Sequence, residues 1–289
     1  MQSTALSRPK KSTNVRFLQL ALQATFRALG ATSTPLAALL ADRLWSTPPR
    51  APLRPEQRAV LGEAERLAAD AGDMRLAVYA WGSGPAVLLV HGWGGHAGQL
   101  APLVAPLRAR GLRVLALDAP GHGATRGGAP HLVAFAQAIA AVDRLAGGLH
   151  GVVAHSLGAT AAAFAMREHP VRPERAVFLA PAADMTEASR RFARLLAVPG
   201  AARDEMQRRF ERRLGVSWDR LRVPSIAAEM AARLLVIHDE NDPEVPASEG
   251  AAIAAAWPGA SYVRTEGLGH HRIVRDADVI DRAAAFLAA

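Results

Sequence analysis

Five short apolar runs recur along the chain, and they constrain its fold more than any other feature. They lie at 86–90, 113–117, 151–155, 176–180 and 234–237. Because each run is apolar on both faces, each is predicted to be a strand in a sheet that is covered on both sides. Helical patterns separate them, at roughly 98–110, 130–146, 157–168, 247–256 and 276–288. This alternation predicts an α/β fold with a doubly wound, mostly parallel sheet, extended by strands at 74–81 and 260–264.

The residues before 74 predict a helical N-terminal extension. The first 14 residues are polar and predicted to be disordered, and apolar residues then follow at helical spacing until Gly30. A second helix is expected over 35–45, a proline-rich linker over 47–55 and a polar helix over 56–71. The apolar stripe has two interpretations, packing on the body of the protein or contact with a membrane surface, and packing is the commoner use of such a stripe.

One interval interrupts the alternation of strand and helix. Three helical stretches follow one another without a strand, at 185–196, 202–214 and 217–232. A plain crossover needs only about a dozen residues, so this segment is expected to form a cap above the strand ends. The predicted organisation is a helical extension and linker over 1–73, an α/β core over 74–183 and 232–289, and a helical cap over 184–231.

Composition limits the partners of the protein. The 289 residues carry a net charge of +8, which favours nucleic acid or an anionic membrane as a partner. The arginines are nevertheless spread along the whole chain, and only 5% of residues are aromatic, so little surface is available for stacking on bases. No nucleic-acid partner is expected. The Arg-rich and Ala-rich usage is typical of a GC-rich bacterial genome.

Cysteine content and hydropathy exclude further classes. The sequence has no cysteine, so thiolate catalysis, disulfides and Cys-ligated metals are excluded. No apolar stretch reaches the roughly 18 residues of a membrane span. Gln19, Gln23 and Arg27 interrupt the apolar region near the N-terminus, and no convincing cleavage site follows it. A cytoplasmic location is therefore expected.

The run at 151–155 leads directly into Ser156 and then into an alanine-rich helix. A strand that turns at once into a helix holds the serine at a sharp, strained bend, so the positions two before and two after it must carry almost no side chain. Gly158 meets this need fully, and Ala154 nearly so. Ser156 is therefore predicted to be a nucleophile.

A glycine-rich turn, His91-Gly92-Trp93-Gly94-Gly95, follows the first buried run. When a serine attacks a carbonyl group an oxyanion forms, and the backbone amides of Trp93 and Leu157 are the expected donors to it. Phosphate binding is the rival interpretation of such a turn. The sequence has no Gly-Lys-Ser/Thr of a P-loop, and the turn lacks the last glycine of the dinucleotide fingerprint. No cofactor and no metal are expected.

A serine nucleophile needs a base, and the base needs an acid to orient it. In this architecture the order is serine, acid, histidine, which leaves His169, His238, His270 and His271 as bases. His270 is preferred because it lies on the glycine-rich loop after the last strand, with His271 as its rival. Four carboxylates follow the run at 234–237. Asp242 is preferred as the acid, and Asp239 and then Asp184 are the alternatives.

Five segments occur in the order found in the α/β-hydrolase superfamily, which the chain resembles from about residue 74 to 289. They are His91 to Gly95, Asp118-Ala119-Pro120-Gly121-His122-Gly123, Ala154-His155-Ser156-Leu157-Gly158, Asp242 within 238–246, and Gly267-Leu268-Gly269-His270. The resemblance implies a triad of Ser156, Asp242 and His270, with oxyanion donors at Trp93 and Leu157. It also implies a structural role for the segment Asp118 to Gly123.

The residue at the bend selects the reaction. Relatives that resemble epoxide hydrolases and haloalkane dehalogenases use a carboxylate there, and Ser156 excludes their mechanism. The expected activity is hydrolysis of small-molecule carboxylic esters through an acyl-enzyme. Acyl transfer and cleavage of a thioester, a lactone or a carbon–carbon bond would use the same triad. Two hypotheses of other classes are a non-catalytic binding protein and a lipid-interface protein whose N-terminal helices contact a membrane weakly.

Overall fold

The structure is a computed structural model that describes residues 13–289, with side chains from Val15 onward. The predicted disorder of residues 1–14 falls almost entirely outside this range. The eight strands are β1 (Glu65–Ala71), β2 (Met74–Trp81), β3 (Ala86–Val90), β4 (Arg113–Leu117), β5 (Gly151–His155), β6 (Arg175–Leu179), β7 (Arg233–Asp239) and β8 (Ser261–Thr265).

The described part of the chain also forms α-helices, several of them only one turn long. They are α1 (Thr13–Thr32), α2 (Thr34–Trp45), α3 (Pro55–Gly62), α4 (Val104–Arg108), α5 (Leu132–Ala146), α6 (Leu157–Glu168), α7 (Met185–Leu196), α8 (Gly200–Leu214), α9 (Val223–Ile226), α10 (Ala247–Ala256), α11 (Gly269–Arg272) and α12 (Ala277–Ala288). Short 3-10 segments lie at Ala97–Leu103, Trp218–Leu221, Ala227–Glu229 and Ile273–Arg275.

The strands form one sheet in the order β1-β2-β4-β3-β5-β6-β7-β8. The pairs β1/β2 and β2/β4 are antiparallel, and all the others are parallel. Each of the five apolar runs is a strand of this sheet, and β3 and β5 are buried along their whole length. The prediction of a doubly wound, mostly parallel sheet is therefore confirmed.

The prediction of one helix over 56–71 is wrong in its second half. The helix ends at Gly62, and Glu65–Ala71 is a strand that pairs with β2 in an antiparallel register, Ala71 opposite Met74. The two strands are joined by Gly72-Asp73, and Gly72 has a φ of 63°. A tight turn of this kind suits glycine, and the pairing that it directs outweighs the local helix propensity of the segment.

Two other predicted helices are broken into shorter pieces. The helix expected over 98–110 is a 3-10 segment with Pro102 inside it, followed by α4. The helix expected over 217–232 is two 3-10 segments separated by the single turn α9, which has a proline in its first turn. Proline has no N–H to donate within a helix, which explains the first interruption. Pro224 is tolerated only at the start of a helix, which separates α9 from the 3-10 segment before it.

The chain divides into two compact units. The first contains the chain up to Leu44 together with Thr186–Arg213, and the second contains Trp45–Met185 and Leu214–Ala289. In the first unit, the buried carboxylate of Asp42 accepts two hydrogen bonds from the guanidinium of Arg213, at 2.9 and 3.1 Å. The N-terminal helices therefore pack with α7 and α8.

The second unit contains the whole sheet and its hydrophobic core, which β3, β5 and β6 share with helices such as α12. In the register of the parallel strands, Leu89 lies opposite Val153, and Val153 lies opposite Val177. Across residues 13–289, no helix combines the length and the apolar character needed to cross a membrane.

Candidate active site

The candidate residues follow the carboxyl ends of four strands that run parallel in the sheet. Trp93 follows β3, Ser156 follows β5, Asp242 follows β7 and His270 follows β8. Because the carboxyl ends of parallel strands meet at one edge, residues far apart in sequence come together there.

Ser156 occupies the bend between β5 and α6, with φ 53° and ψ −123°. A positive φ is rare for a residue other than glycine and costs on the order of 1–3 kcal/mol, so the surroundings must enforce it. The amide of Ser156 donates a 3.0 Å hydrogen bond to the carbonyl of Leu179. A Cβ on Gly158 would lie 2.5 Å from the carbonyl oxygen of His91, so the helix can approach β3 only with glycine there.

Ser156, His270 and Asp242 form a continuous chain of hydrogen bonds. His270 Nε2 lies 3.0 Å from Ser156 Oγ, and His270 Nδ1 lies 2.7 Å from Asp242 Oδ2. A carboxylate can only accept, so Nδ1 carries the proton and Nε2 is free to accept the serine hydroxyl proton. The ring of His270 is buried. The geometry is that of a nucleophile, a base and an orienting acid.

The carboxylate of Asp242 is held on both oxygens. Oδ1 accepts hydrogen bonds from the amides of Glu244 at 2.8 Å and Val245 at 2.9 Å, while His238 Nε2 lies 3.4 Å from Oδ2. Burial acts to raise the pKa of Asp242, but hydrogen bonds from His238 and His270 lower it by more. The net pKa lies far below the usual value, so Asp242 is ionised at neutral pH.

The alternative acids occupy other positions. Asp239 accepts hydrogen bonds from Leu268 N at 2.8 Å and Thr265 Oγ1 at 2.9 Å. It therefore anchors the loop that carries His270 instead of contacting the imidazole. Asp184 pairs with Arg222 at 3.5 Å. The geometry favours Asp242 over both.

The alternative bases are likewise engaged elsewhere. His271 Nε2 lies 2.8 Å from Glu244 Oε1, and this hydrogen bond raises the pKa of His271. His238 is fully buried against the carboxylate of Asp242. His169 caps the C-terminus of α6. Of the four histidines considered, His270 is the one hydrogen-bonded to Ser156.

Of the two expected oxyanion donors, Leu157 directly follows the serine, and Trp93 belongs to the turn that passes against it. Leu157 is the first residue of α6, where amides have no partner within the helix and the helix dipole favours negative charge. The turn that contains Trp93 passes against the serine, because a Cβ on Gly92 would lie 3.0 Å from Ser156 Cβ. The amides of Gly94 and Gly95 are satisfied by His122 Nε2 and by the carbonyl of Gly92, which fixes the turn.

Three buried histidines support this arrangement, and two of them, His91 and His155, had no role predicted from the sequence. His91 joins the turn to the next loop, since its Nδ1 donates to Gly92 O at 2.7 Å and its Nε2 accepts from Ala119 N at 3.1 Å. His155 Nε2 lies 2.9 Å from the carbonyl oxygen of His270. Burial lowers the pKa of His91 to about 4 and the pKa of His155 well below its usual value. His91 and His155 directly precede Gly92 and Ser156, and this adjacency is the sequence signal that could have identified them.

The segment Asp118 to Gly123 has a structural role. Asp118 accepts hydrogen bonds from the amides of Ala97 and Ala124, both at 2.7 Å. A Cβ on Gly123 would lie 2.1 Å from the carboxyl carbon of Asp118, so only glycine fits. His122, the third of the buried histidines, reaches Gly94 from this segment. Within the described range, no group of three or more His, Cys, Asp or Glu side chains is arranged to hold a metal ion.

Comparison with protein families gives two matches. Residues 84–245 match the family described as serine aminopeptidase, S33, which is more than half of the chain. Residues 216–288 match a family described as TAP-like protein. A curated relative, the pimeloyl-[acyl-carrier protein] methyl ester esterase of Xylella fastidiosa (strain 9a5c), is 55% identical over 42 residues. That stretch is 14% of this chain and 16% of the relative, so the match covers only a small part of either protein.

Solved structures share the fold at low sequence identity. An esterase from Thermogutta terrifontis is 17% identical with a TM-score of 0.60, covering 77% of this chain and 97% of its own. The protein Rv0554 from Mycobacterium tuberculosis is 22% identical with a TM-score of 0.61, covering 78% of this chain and 98% of its own. A membrane phospholipase A is 20% identical with a TM-score of 0.62, covering 94% of this chain and 98% of its own.

Proposed function

Because the chain belongs to the α/β-hydrolase superfamily, within the family described as serine aminopeptidase, S33, we propose that it is a serine esterase acting on small-molecule carboxylic esters. One observation carries the proposal, the continuous hydrogen-bond chain from Ser156 through His270 to Asp242. The strained serine backbone supports it, because such strain is concentrated at functional sites.

The proposed reaction begins with proton transfer from Ser156 Oγ to His270 Nε2 as the oxygen attacks the ester carbonyl. Asp242 stabilises the imidazolium that results, and its low pKa keeps it ionised throughout. The tetrahedral oxyanion is held by the amides of Trp93 and Leu157, each worth on the order of 3 kcal/mol. His270 then protonates the leaving alcohol, and an acyl-enzyme on Ser156 remains.

The second half of the reaction repeats these steps with water. His270 removes a proton from the water molecule that attacks the acyl-enzyme, and Ser156 Oγ leaves with that proton. An ester substrate is favoured by the short curated relative, whose name describes a methyl ester esterase. The family description names an aminopeptidase, so amide substrates belong in the same test.

The deciding experiment compares Ser156→Ala with Ser83→Ala, a control at an exposed serine in the turn after β2. Release of p-nitrophenol from short acyl esters should be retained by the control and reduced on the order of 10⁶ in kcat by Ser156→Ala. A fluorophosphonate probe should label the wild type and the control but not Ser156→Ala. Full activity of Ser156→Ala, or labelling at another residue, would overturn the proposal.

The same triad also supports acyl transfer and the cleavage of thioesters, lactones or carbon–carbon bonds. Acyl transfer is separated from hydrolysis by analysing products in the presence of a competing alcohol. An esterase yields mainly the free acid, whereas a transferase yields the new ester. Aminoacyl p-nitroanilides, assayed beside the p-nitrophenyl esters, test the amide alternative. Faster turnover of the anilides would replace esterase by aminopeptidase.

A further inference from the structure

Exposed apolar side chains are concentrated in the first compact unit. Across residues 13–289, eight large apolar side chains are exposed, and Leu145 on α5 is the one that lies outside this unit. The other seven are Val15, Phe17, Leu18, Leu20, Leu36, Leu39 and Leu195. Four of them lie in the first turns of α1, and Phe17 is the most exposed, at 75%.

The exposed residues of α1 form a continuous apolar face. The centre of this face is a row of exposed residues at helical spacing, Phe17, Ala21, Ala24 and Ala28. Around the helix, Leu18 and Leu20 lie on either side of Phe17. An ordinary surface helix places its apolar stripe inward and its polar residues outward. In this helix the outward face is apolar as well.

The opposite face of α1 is already occupied within the first unit. Phe26 is completely buried. The side-chain amides of Gln19 and Gln23 donate to the carbonyl oxygen of Leu195, at 3.2 and 2.9 Å. These bonds hold the backbone of Leu195 against the packed side of α1. The exposed face is therefore not the one that the helix uses for its own packing.

The charged side chains of α1 have one sign. Arg16 and Arg27 are exposed and lie three turns apart, on the same edge of the apolar face. The first 41 residues contain five lysines and arginines, Arg8, Lys10, Lys11, Arg16 and Arg27, and no aspartate or glutamate. The first acidic residue is Asp42, which is buried and bonded to Arg213. The surface that complements this face is apolar and anionic.

We propose that α1 lies on the surface of an anionic lipid bilayer. Its apolar face enters the boundary between headgroups and acyl chains, and Arg16 and Arg27 reach the headgroup phosphates. A second copy of the chain is a poorer partner, because a symmetric contact would bring the same arginines against each other without a carboxylate between them. The proposal goes beyond the esterase activity and does not depend on it.

The test is co-sedimentation of the full-length protein with two kinds of vesicle, phosphatidylcholine alone and phosphatidylcholine mixed with phosphatidylglycerol. The protein should partition onto the anionic vesicles. A variant with Phe17→Gln, Leu18→Gln and Leu20→Gln should partition at least about tenfold less, because three exposed apolar side chains no longer enter the bilayer. Leu145→Gln is the matched control, since it replaces an exposed leucine of the other unit, and it should partition like the wild type.

A second variant tests the charges separately. Arg16→Gln with Arg27→Gln should weaken partitioning by about fivefold for each arginine at low salt, and added salt should reduce the difference. Glutamine is a good helix former, and thermal unfolding followed by circular dichroism verifies that each variant folds. If the triple glutamine variant of Phe17, Leu18 and Leu20 does not fold, the arginine variant and the comparison of the two kinds of vesicle still test whether α1 binds an anionic bilayer.

Three results would overturn the proposal. The first is wild-type protein that stays in the supernatant with both kinds of vesicle, and the second is a triple glutamine variant that sediments as the wild type does. The third is a dimer, seen by sedimentation velocity without lipid and abolished in the triple glutamine variant, which would assign the face to a second copy. Because pelleted protein is the readout, failure of the esterase assay would leave this result unaffected.

Discussion

Gly158 is the position where helix propensity and packing predict opposite effects of the same substitution. It is the second residue of α6, and alanine is favoured over glycine in a helix by about 1 kcal/mol. An added Cβ would nevertheless lie 2.5 Å from the carbonyl oxygen of His91 and 2.8 Å from that of Val90. Both atoms belong to the backbone, so they cannot move aside as a flexible side chain can.

The cost follows from these distances. Real Cβ atoms essentially never come closer than 3.0 Å, so the His91 carbonyl must move by at least the difference from 2.5 Å, which is about 0.5 Å. Overpacking of this kind costs about 1–3 kcal/mol, against a gain of about 1 kcal/mol in helix propensity. Gly158→Ala should therefore lower the free energy of unfolding by up to about 2 kcal/mol.

The same shift reaches the site, because the turn that holds Trp93 begins at His91. A misplacement of about 1 Å costs about 10²-fold in rate. A misplacement of about 0.5 Å should therefore lower kcat for a p-nitrophenyl ester by about tenfold. Urea unfolding measures the stability, and Gly62→Ala is the control, because a Cβ there has nothing within 4 Å. If Gly158→Ala were as stable and as active as the wild type, the packing argument would be refuted.

Two further predictions concern charge. Asp242→Asn should lower kcat by about 10³–10⁴ because the imidazole loses its orienting carboxylate, whereas Asp239→Asn should act mainly on stability; equal losses of kcat would contradict the assignment of the acid. The pKa of His91 is lowered by burial to about 4, so below about pH 6.5 protons bind more readily to the unfolded chain. The free energy of unfolding should fall from pH 6.5 to 4, by as much as about 3 kcal/mol for His91, and urea unfolding that is flat over this range would count against a buried neutral imidazole.

The sheet and the serine bend could be predicted because their signals are local. The strand from 151 to 155, Ser156 and Gly158 lie within eight residues, and each was identified without knowledge of any partner. The structure adds the reason for Gly158, which is the approach of α6 to the carbonyls of His91 and Val90. Sequence spacing predicts that a small residue is needed there, but not which atoms require it.

The residues alone favour Asp242 over Asp239 as the acid but do not exclude Asp239. The two carboxylates are three positions apart after the same strand. What distinguishes them is long-range, since Leu268 and Thr265 bind Asp239, whereas His270 binds Asp242. Such bonds depend on where the loop after β8 lies, and no local pattern encodes that position.

Strand β1 was missed for a similar reason. Its residues, Glu65–Ala71, include six with good helix propensity, three of them alanines, and no β-branched side chain. They become a strand only because β2 offers a partner across the Gly72-Asp73 turn. Pairing of this kind is a property of two segments, and propensity describes only one of them.

The composition of the first unit has a consequence for biosynthesis. Helices α1 and α2 are translated about 140 residues before Thr186–Arg213, the segment that completes their unit. At about 5–20 residues per second, the ribosome needs roughly 7–28 seconds to reach that segment. Until then Asp42 has no Arg213 to bind, and Gln23 has no Leu195 carbonyl. The helices that are made first are therefore completed late, and any stall between these two segments leaves them without their partners.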